Sequence, residues 1–179
     1  QFRFTYTKSS GNTAFDDVVA YCGVAQQEIE LQGNSTEIVN GDNTPSLTDH
    51  TDFGATAVSG GTIVRTYTIL NTGGADLNLT GSSPYVTISG TNDTDFSVTA
   101  SPSTPIAASG STTFSITFDP SAVGTRTATI SIANDDSNEN PYTFAIQGEG
   151  VNSNQSDIIE NGTFSYTSNI DYTAYQSVG

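Results

Sequence analysis

Basic residues are scarce in this chain of 179 residues, which has four Lys and Arg against 19 Asp and Glu and a formal charge of -15. So few cations cannot build a surface that neutralises phosphates, which excludes nucleic acid as a partner. Met and Trp are absent, and Cys and His occur once each. A single Cys forms no internal disulfide, and one His with one Cys is too few for the usual zinc sites. Apolar runs of a few residues, against the ~20 that span a bilayer, predict no membrane insertion.

Large aliphatic and Phe residues are also few. Leu, Ile, Val and Phe number 38 of 179, close to the floor of roughly 20% below which charged chains are disordered. The chain instead has 28 Thr, 22 Ser and 8 Tyr, a bias that favours strands. A surface rich in Thr, Ser, Asn and Asp but poor in Lys is typical of secreted bacterial proteins. Because the chain begins with Gln1 rather than Met, we expect a piece of a larger or processed protein.

Alternation of apolar and polar residues predicts that the chain folds as strands. In 111–118, Phe114, Ile116 and Phe118 share one face, and the segments 62–71, 125–133 and 142–147 alternate in the same way. No segment of helical length has an apolar stripe with a period of 3.6 residues. Shorter strand candidates are 28–32, 53–58, 76–80, 85–89 and 96–100.

The spacing of the turns predicts one main domain with a fragment on each side. Turn-type clusters recur every 8–12 residues, as expected for a β-sandwich, so we assign 24–150 to an Ig-like antiparallel sandwich. Residues 1–23 form the terminal hairpin of an upstream domain, with strands at 2–7 and 14–21. Residues 151–179 are a polar linker and the start of a downstream module, with short β-like pieces at 158–159 and 163–166. The fold class is therefore all-β.

An ordered series of short motifs across 28–150 resembles a known family. The motifs are DFG at 52–54, TYTILNTG at 66–73, ADLNL at 75–79, FSV at 96–98, SGSTTFSITFDP at 109–120, GTRTATISIA at 124–133, NDDSNENPY at 134–142 and FAIQGEG at 144–150. The series resembles the bacterial choice-of-anchor D domain, a relative of the hydin and abnormal-spindle Ig-like repeats. This resemblance implies an Ig-like sandwich used as a module of large secreted or surface-attached bacterial proteins.

The N-terminal hairpin has a shorter likeness of its own. Asp16, Asp17 and Val18 resemble the last strand of secreted, carbohydrate-binding-like jelly-roll domains. That likeness implies an upstream jelly-roll-like neighbour.

Acidic residues concentrate in loops. Carboxylates in loops provide the hard oxygen ligands that Ca²⁺ takes, although none has EF-hand spacing. The alternative is that Asp and Asn occupy turns because they hydrogen-bond their own backbone. The candidate calcium ligands are Asp42, Asp49, Asp52, Asp93, Asp95, Asp135, Asp136 and Glu139, with the strand pair Asp16 and Asp17.

Catalysis has little support in the sequence. His50 lies between Asp49 and Asp52, but no Gly-x-Ser-x-Gly elbow accompanies it. Paired carboxylates for glycoside hydrolysis need a cleft, whereas these acids lie in short polar turns. We therefore predict no enzyme activity and no cofactor apart from calcium.

The sequence thus predicts a structural spacer module of a secreted or cell-surface bacterial protein such as an adhesin. Its partners would be neighbouring domains of the same polypeptide. Two alternatives stay open at this stage. One is a module that binds polysaccharide or a surface, and the other is a fibre subunit that joins copies of itself by strand addition.

Overall fold

The regular structure of the chain consists almost entirely of strands. The computed structural model describes residues 25–152, 159–160 and 163–164, in which the helical structure is one 3₁₀ turn at Asp93–Asp95. No helix among these residues is long and apolar enough to cross a membrane. The strands are β1 (Ile29–Gly33), β2 (Thr36–Ile38), β3 (Asp52–Ala57), β4 (Ile63–Asn71), β5 (Thr87–Ser89), β6 (Phe96–Ala100), β7 (Ser111–Phe118), β8 (Gly124–Ile132), β9 (Tyr142–Val151), β10 (Ile159–Glu160) and β11 (Thr163–Phe164).

Nine of these strands form two sheets that pack face to face. Sheet A has the order β2-β1-β4-β7-β6 and sheet B the order β3-β9-β8-β5, while β10 and β11 pair only with each other. Tyr67 of sheet A lies 5.7 Å from Phe144 of sheet B, measured between ring centroids. The predicted all-β Ig-like sandwich is therefore confirmed.

The core consists of the faces that alternation predicted. Phe114, Ile116 and Phe118 of β7 are fully buried. The buried residues also alternate along β8 from Ala128 to Ile132 and along β9 from Tyr142 to Gly150. Each such side chain contributes about 1.5–3 kcal/mol when it leaves water. A chain with few large apolar residues can thus fold, because most of the Leu, Ile, Val and Phe residues in 25–152 pack in one thin core.

One pair of strands runs parallel, which corrects the prediction of a wholly antiparallel sandwich. β3 pairs with β9 in parallel, with Ala55 opposite Glu149 and Ala57 opposite Val151. The chain crosses from sheet A to sheet B through residues 39–51, which connect β2 to β3, and β3 then runs beside a strand about 90 residues later. Alternation reports which face of a strand is buried but not which strand lies beside it.

One predicted strand does not form, and one observed strand was not predicted. Residues 76–80 form no strand but make isolated bridges, from Leu77 to Ile106 and from Leu79 to Asn134. The three-residue strand β2 was missed because it is too short to show alternation. Within 25–152 the other predicted strands match to within two residues at each end, apart from β9, which extends four residues beyond its predicted end at Gln147.

Glycine explains the unexpected length of β9. A Cβ at Gly148 would lie 2.4 Å from Cε1 of Phe118, and one at Gly150 would lie 2.2 Å from the carbonyl oxygen of Ala122. Both glycines lower the strand propensity of the sequence. Here Gly148 lets β9 pass beneath the Phe118 ring of the opposite sheet, and Gly150 lets it pass close to the backbone of Ala122. The Phe118 ring also lies 4.8 Å from that of Phe96 and 5.8 Å from that of Phe53.

The predicted N-terminal hairpin, with Asp16, Asp17 and Cys22, lies outside the described residues. The same holds for most of the C-terminal segment, although β10 and β11 overlap the predicted pieces at 158–159 and 163–166.

We expect Gly148→Ala to lower the free energy of unfolding by about 1–3 kcal/mol, because its methyl group would overlap the Phe118 ring. Urea denaturation measures this change. The control is Gly81→Ala, whose Cβ would meet nothing closer than 3.8 Å and should cost less than about 0.5 kcal/mol. Equal stability of the two variants would contradict the close contact between Phe118 and β9.

Candidate functional site

The chain enters the sandwich at one end, which we call the incoming end. Ile29, the first residue of β1, pairs with Asn71, the last residue of β4. The Ile29 N–H donates to Oδ2 of Asp136 over 3.0 Å. Asp136 lies in the loop that connects β8 to Tyr142, the first residue of β9. The incoming end therefore coincides with the start of β9.

The chain leaves from the opposite end, which we call the outgoing end. Val151 is the last residue of β9 and pairs with Ala57, and its carbonyl oxygen accepts a hydrogen bond from Val58 N–H over 2.9 Å. At about 3.4 Å per residue, the ten residues of β9 span ~30 Å. The points where the chain enters and leaves are thus separated by the full length of the sandwich.

Backbone hydrogen bonds hold the segment before β1 in place. The carbonyl oxygen of Glu28 accepts from Thr72 N–H over 2.9 Å, and that of Gln26 accepts from Gly74 N–H over 2.8 Å. At Gly73 a Cβ would lie 2.3 Å from the Gln26 carbonyl oxygen, so this close approach needs glycine. The incoming chain is consequently held for three residues before the first strand begins.

Three carboxylates meet at the incoming end. Glu28, Asp136 and Glu139 can place one oxygen each within 4.8 Å of the others. Burial raises the pKa of Glu139, and the negative charges of Asp136 and Glu28 raise it further. Asp136 is itself buried and accepts hydrogen bonds from Ile29 N–H and Asn138 N–H.

This cluster of three carboxylates differs from the predicted set of calcium ligands in the same loop. Asp136 and Glu139 belong to it, but both oxygens of Asp135 accept instead from Asn78, over 2.8 Å from its N–H and 2.7 Å from its amide. Glu28 was missed because only the pairing of β1 brings it beside a loop more than 100 residues later. The prediction of calcium stays a prediction.

The other predicted ligands in loops serve as turn acceptors. Asp42, Asp49 and Asp52 each accept a hydrogen bond from the N–H two residues ahead, over 2.7–2.9 Å. Asp52 also accepts from the Gln147 amide over 2.7 Å. Among the described residues these three carboxylates do not form a cluster. This arrangement matches the alternative that Asp occupies turns for backbone hydrogen bonding.

The buried Asp95 forms an ion pair with Arg126, whose side chain is partly buried. Nε of Arg126 donates to Oδ2 of Asp95 over 2.5 Å, and its Nη2 donates to the Ser121 hydroxyl over 3.2 Å. Burial alone would raise the pKa of Asp95, but hydrogen bonds from Ser121 and Arg126 hold it below its usual value. Asp93, predicted as its partner in a metal site, starts the 3₁₀ turn instead.

His50 contributes to the fold through its backbone. Its carbonyl oxygen accepts from the Tyr67 hydroxyl over 2.8 Å. Burial, followed by the charge of Arg65, lowers the pKa of its imidazole. Within residues 25–152 no side-chain hydrogen bond joins His50 to a Ser or an Asp, so the geometry offers no assembled triad there.

Two clefts lie side by side on the outer face of sheet B and share Gln147. One has a volume of about 340 Å³, between Pro45 and Thr91. The other has about 250 Å³, between Leu47 and Thr125. No aromatic side chain lines either cleft, so neither offers a ring on which a sugar could stack.

Residues 45–149, more than half of the chain, match the family model of the HYDIN/CFA65/VesB-like Ig-like domain. The chain belongs to this family. The predicted kinship with hydin-type repeats is thereby confirmed, and the described sandwich is a structural Ig-like module. No curated protein matches the chain in sequence.

Solved structures that are similar to this chain include bacterial and human proteins. A protein of unknown function from Porphyromonas gingivalis W83 is 21% identical over 69% of this chain and 46% of its own, with a TM-score of 0.48. The secreted serine protease VesC from Vibrio cholerae is 18% identical over 55% and 21%, with a TM-score of 0.43. The PapD-like domain 7 of human CEP192 is 16% identical over 80% and 99%, with a TM-score of 0.42. The chain thus spans less than half the length of the first of these proteins, and the likeness concerns the fold alone.

Asp95→Asn should lower the free energy of unfolding by about 1–3 kcal/mol at pH 7, because the partly buried Arg126 then loses its carboxylate partner. The pKa of Asp95 in the folded protein is lowered from its usual value of 3.8. The stabilisation by the ion pair is therefore fully present above the unfolded pKa and is lost as the pH falls through the folded pKa. The difference in the free energy of unfolding between wild type and variant, measured by urea denaturation, should therefore become smaller from pH 7 to pH 3. The control is the exposed Asp119→Asn, for which a similar loss would contradict a specific role of Asp95.

Calcium should raise the thermal midpoint by several degrees if it binds Glu28, Asp136 and Glu139, because binding to the folded state alone stabilises it. Melts with calcium and with chelator test this prediction. Glu139→Gln should remove the response and leave the midpoint in chelator unchanged or higher, since it removes repulsion that raises the pKa of Glu139. An unchanged wild-type midpoint would contradict calcium binding.

Proposed function

We propose that this chain is a non-catalytic spacer module that holds its two neighbours in the same polypeptide about 30 Å apart. The observation that supports this function is the position of the two chain ends. Ile29 and Val151 lie at opposite ends of one sandwich, with β9 spanning the distance between them. A string of such modules lengthens a protein with each repeat.

A spacer must resist bending, and the core of this sandwich favours stiffness. The packed rings of Phe53, Phe96 and Phe118 connect the two sheets near the outgoing end. The stacked rings of Tyr67 and Phe114, 5.2 Å apart, lie against Phe144 nearer the incoming end. Such interiors are close-packed and transmit force without changing shape.

The negative charge of the module opposes association between its copies. Residues 25–152 contain 14 acidic side chains and two basic ones, Arg65 and Arg126. Arg126 is paired with Asp95, and Arg65 donates to the Phe53 carbonyl oxygen over 3.0 Å. The net negative surface keeps the module soluble and opposes contact between copies.

The proposal of a secreted or cell-surface bacterial protein rests on the sequence. The motif series places the module with the choice-of-anchor D domains, and the Thr- and Ser-rich, Lys-poor surface is typical of secreted bacterial proteins. We infer a large secreted or cell-surface bacterial protein as its setting, an adhesin being one such protein. Polysaccharide binding has only the two clefts of sheet B in its favour.

Spin labels at Gln26 and Asn152, introduced as cysteines with Cys22 changed to Ser, measure the distance across the module. We expect a narrow distribution centred near 30 Å, with allowance for the label arms. The control pair Gln26 and Asn138 labels the incoming end twice and should give a much shorter distance. A 26–152 distance close to that of the control, or a broad distribution, would contradict the proposed spacer.

A further inference from the structure

Residues 40–42, which we name the edge segment, run beside the start of β9 before β3 begins. The Gly41 N–H donates to the Thr143 carbonyl oxygen over 2.7 Å. Asp42 forms an isolated parallel bridge with Phe144. The edge segment therefore covers the first part of the β9 edge, and β3 covers the rest of it in the same parallel direction.

The edge segment contains an Asn–Gly sequence, Asn40–Gly41. In such a sequence the main-chain nitrogen of the glycine can attack the preceding side-chain amide, because glycine has no Cβ to hinder the approach. Gly41 is exposed and has a φ of +84°, and a Cβ at this position would meet nothing within 4 Å. Water and base can therefore reach its nitrogen whenever its hydrogen bond to Thr143 opens.

The reaction needs only water and base. Base removes the proton of the Gly41 N–H, and the nitrogen attacks Cγ of Asn40. A new C–N bond closes a succinimide ring, and Nδ2 takes up a proton and leaves as ammonia. Water then opens the ring at one carbonyl or the other, which gives aspartate or isoaspartate. In isoaspartate the main chain passes through the former side chain and is longer by one carbon.

The folded structure occupies both reacting groups through one residue. The Gly41 N–H donates to the Thr143 carbonyl oxygen, and the Thr143 N–H donates to Oδ1 of Asn40 over 2.9 Å. Ring closure requires that the nitrogen leave this carbonyl and that the Asn40 side chain turn towards its own backbone. Both hydrogen bonds must therefore break before the reaction begins.

We propose that Asn40–Gly41 is a site of spontaneous deamidation whose rate is set by local opening of the edge segment from β9. The aspartate product keeps an acceptor for the Thr143 N–H and the original length of the main chain. Isoaspartate lengthens the chain between residue 40 and Gly41, so the two hydrogen bonds to Thr143 no longer form together. The edge of β9 at 143–145 then loses its cover.

The test incubates the full chain in mildly alkaline buffer beside a peptide of residues 37–44, which is the unfolded reference. Peptide mapping by mass spectrometry and chromatography measures asparagine, aspartate and isoaspartate at residue 40. Hydrogen exchange of the Gly41 amide is measured on both samples. Because the same N–H exchanges and attacks, folding should slow both reactions by the same factor, about tenfold or more.

Two Tyr→Phe variants distinguish local opening from global unfolding. The buried Tyr142 hydroxyl donates to the Ile38 carbonyl oxygen over 2.6 Å, two residues before Asn40. Tyr142→Phe should therefore speed both reactions about two- to tenfold. The matched control is Tyr67→Phe, which removes a hydrogen bond to the carbonyl oxygen of His50 and should leave both rates unchanged. Asn40→Gln should abolish the signal, since its longer side chain closes a ring far more slowly.

Several results would overturn the proposal. A folded chain that deamidates as fast as the peptide would show that the hydrogen bonds to Thr143 do not control the reaction. Unequal factors for deamidation and exchange, or equal effects of the two Tyr→Phe variants, would exclude local opening as the controlling step. Absence of isoaspartate at residue 40 after the time that the exchange factor predicts would exclude the site itself.

Discussion

The close contact between the Phe118 ring and the backbone of β9 sets the geometry of the sandwich. It requires glycine at position 148, where a Cβ would overlap the ring. Phe118 lies opposite Phe96 on the neighbouring strand of sheet A and reaches Phe53 of sheet B. The rings from β3, β6 and β7 together fill the core near the outgoing end. A larger residue would separate the sheets and open space that no other side chain nearby could fill.

The length of β9 follows from this contact. With glycine at 148 and 150, the strand continues past Phe118 to Val151, pairs with β8 along its whole length and accepts β3 in parallel at its outer edge. The chain therefore leaves at the far end of the sandwich rather than beside the point where it entered. A strand that ended at Gln147 would have left the last part of β3 without a partner, and the two ends would lie closer together. Gly148 and Gly150 thus help to keep the two chain ends far apart, and the spacer function depends on that distance.

The parts of this structure that the sequence predicted are those determined locally. The buried faces of β4, β7, β8 and β9 follow from alternation, since each inward residue is two positions from the next. The parallel partner of β3, the glycine-containing end of β9 and the place of Glu28 beside Glu139 were not predicted. Each depends on which distant segments meet, and no local pattern reports this. Asp95 illustrates the difference: its place in an acidic loop suggested a ligand, whereas its partner is Arg126, 31 residues later.

The distribution of charge determines how such a module can work. Half of the 14 acids in 25–152 accept hydrogen bonds within the fold, as Asp42, Asp49 and Asp52 do. The two arginines of 25–152 also donate within the fold. The outer face of sheet A consists largely of hydroxyl side chains that bond one another, as Thr66 does with Ser115 and Thr117 with Thr99. Two copies approaching side by side would thus meet like charge and few unsatisfied donors, so lateral association gains little. Neighbours joined through the chain itself do not meet this barrier, because the covalent connection holds them together. The surface and the opposed ends therefore favour the same arrangement, in which modules follow one another along a single polypeptide.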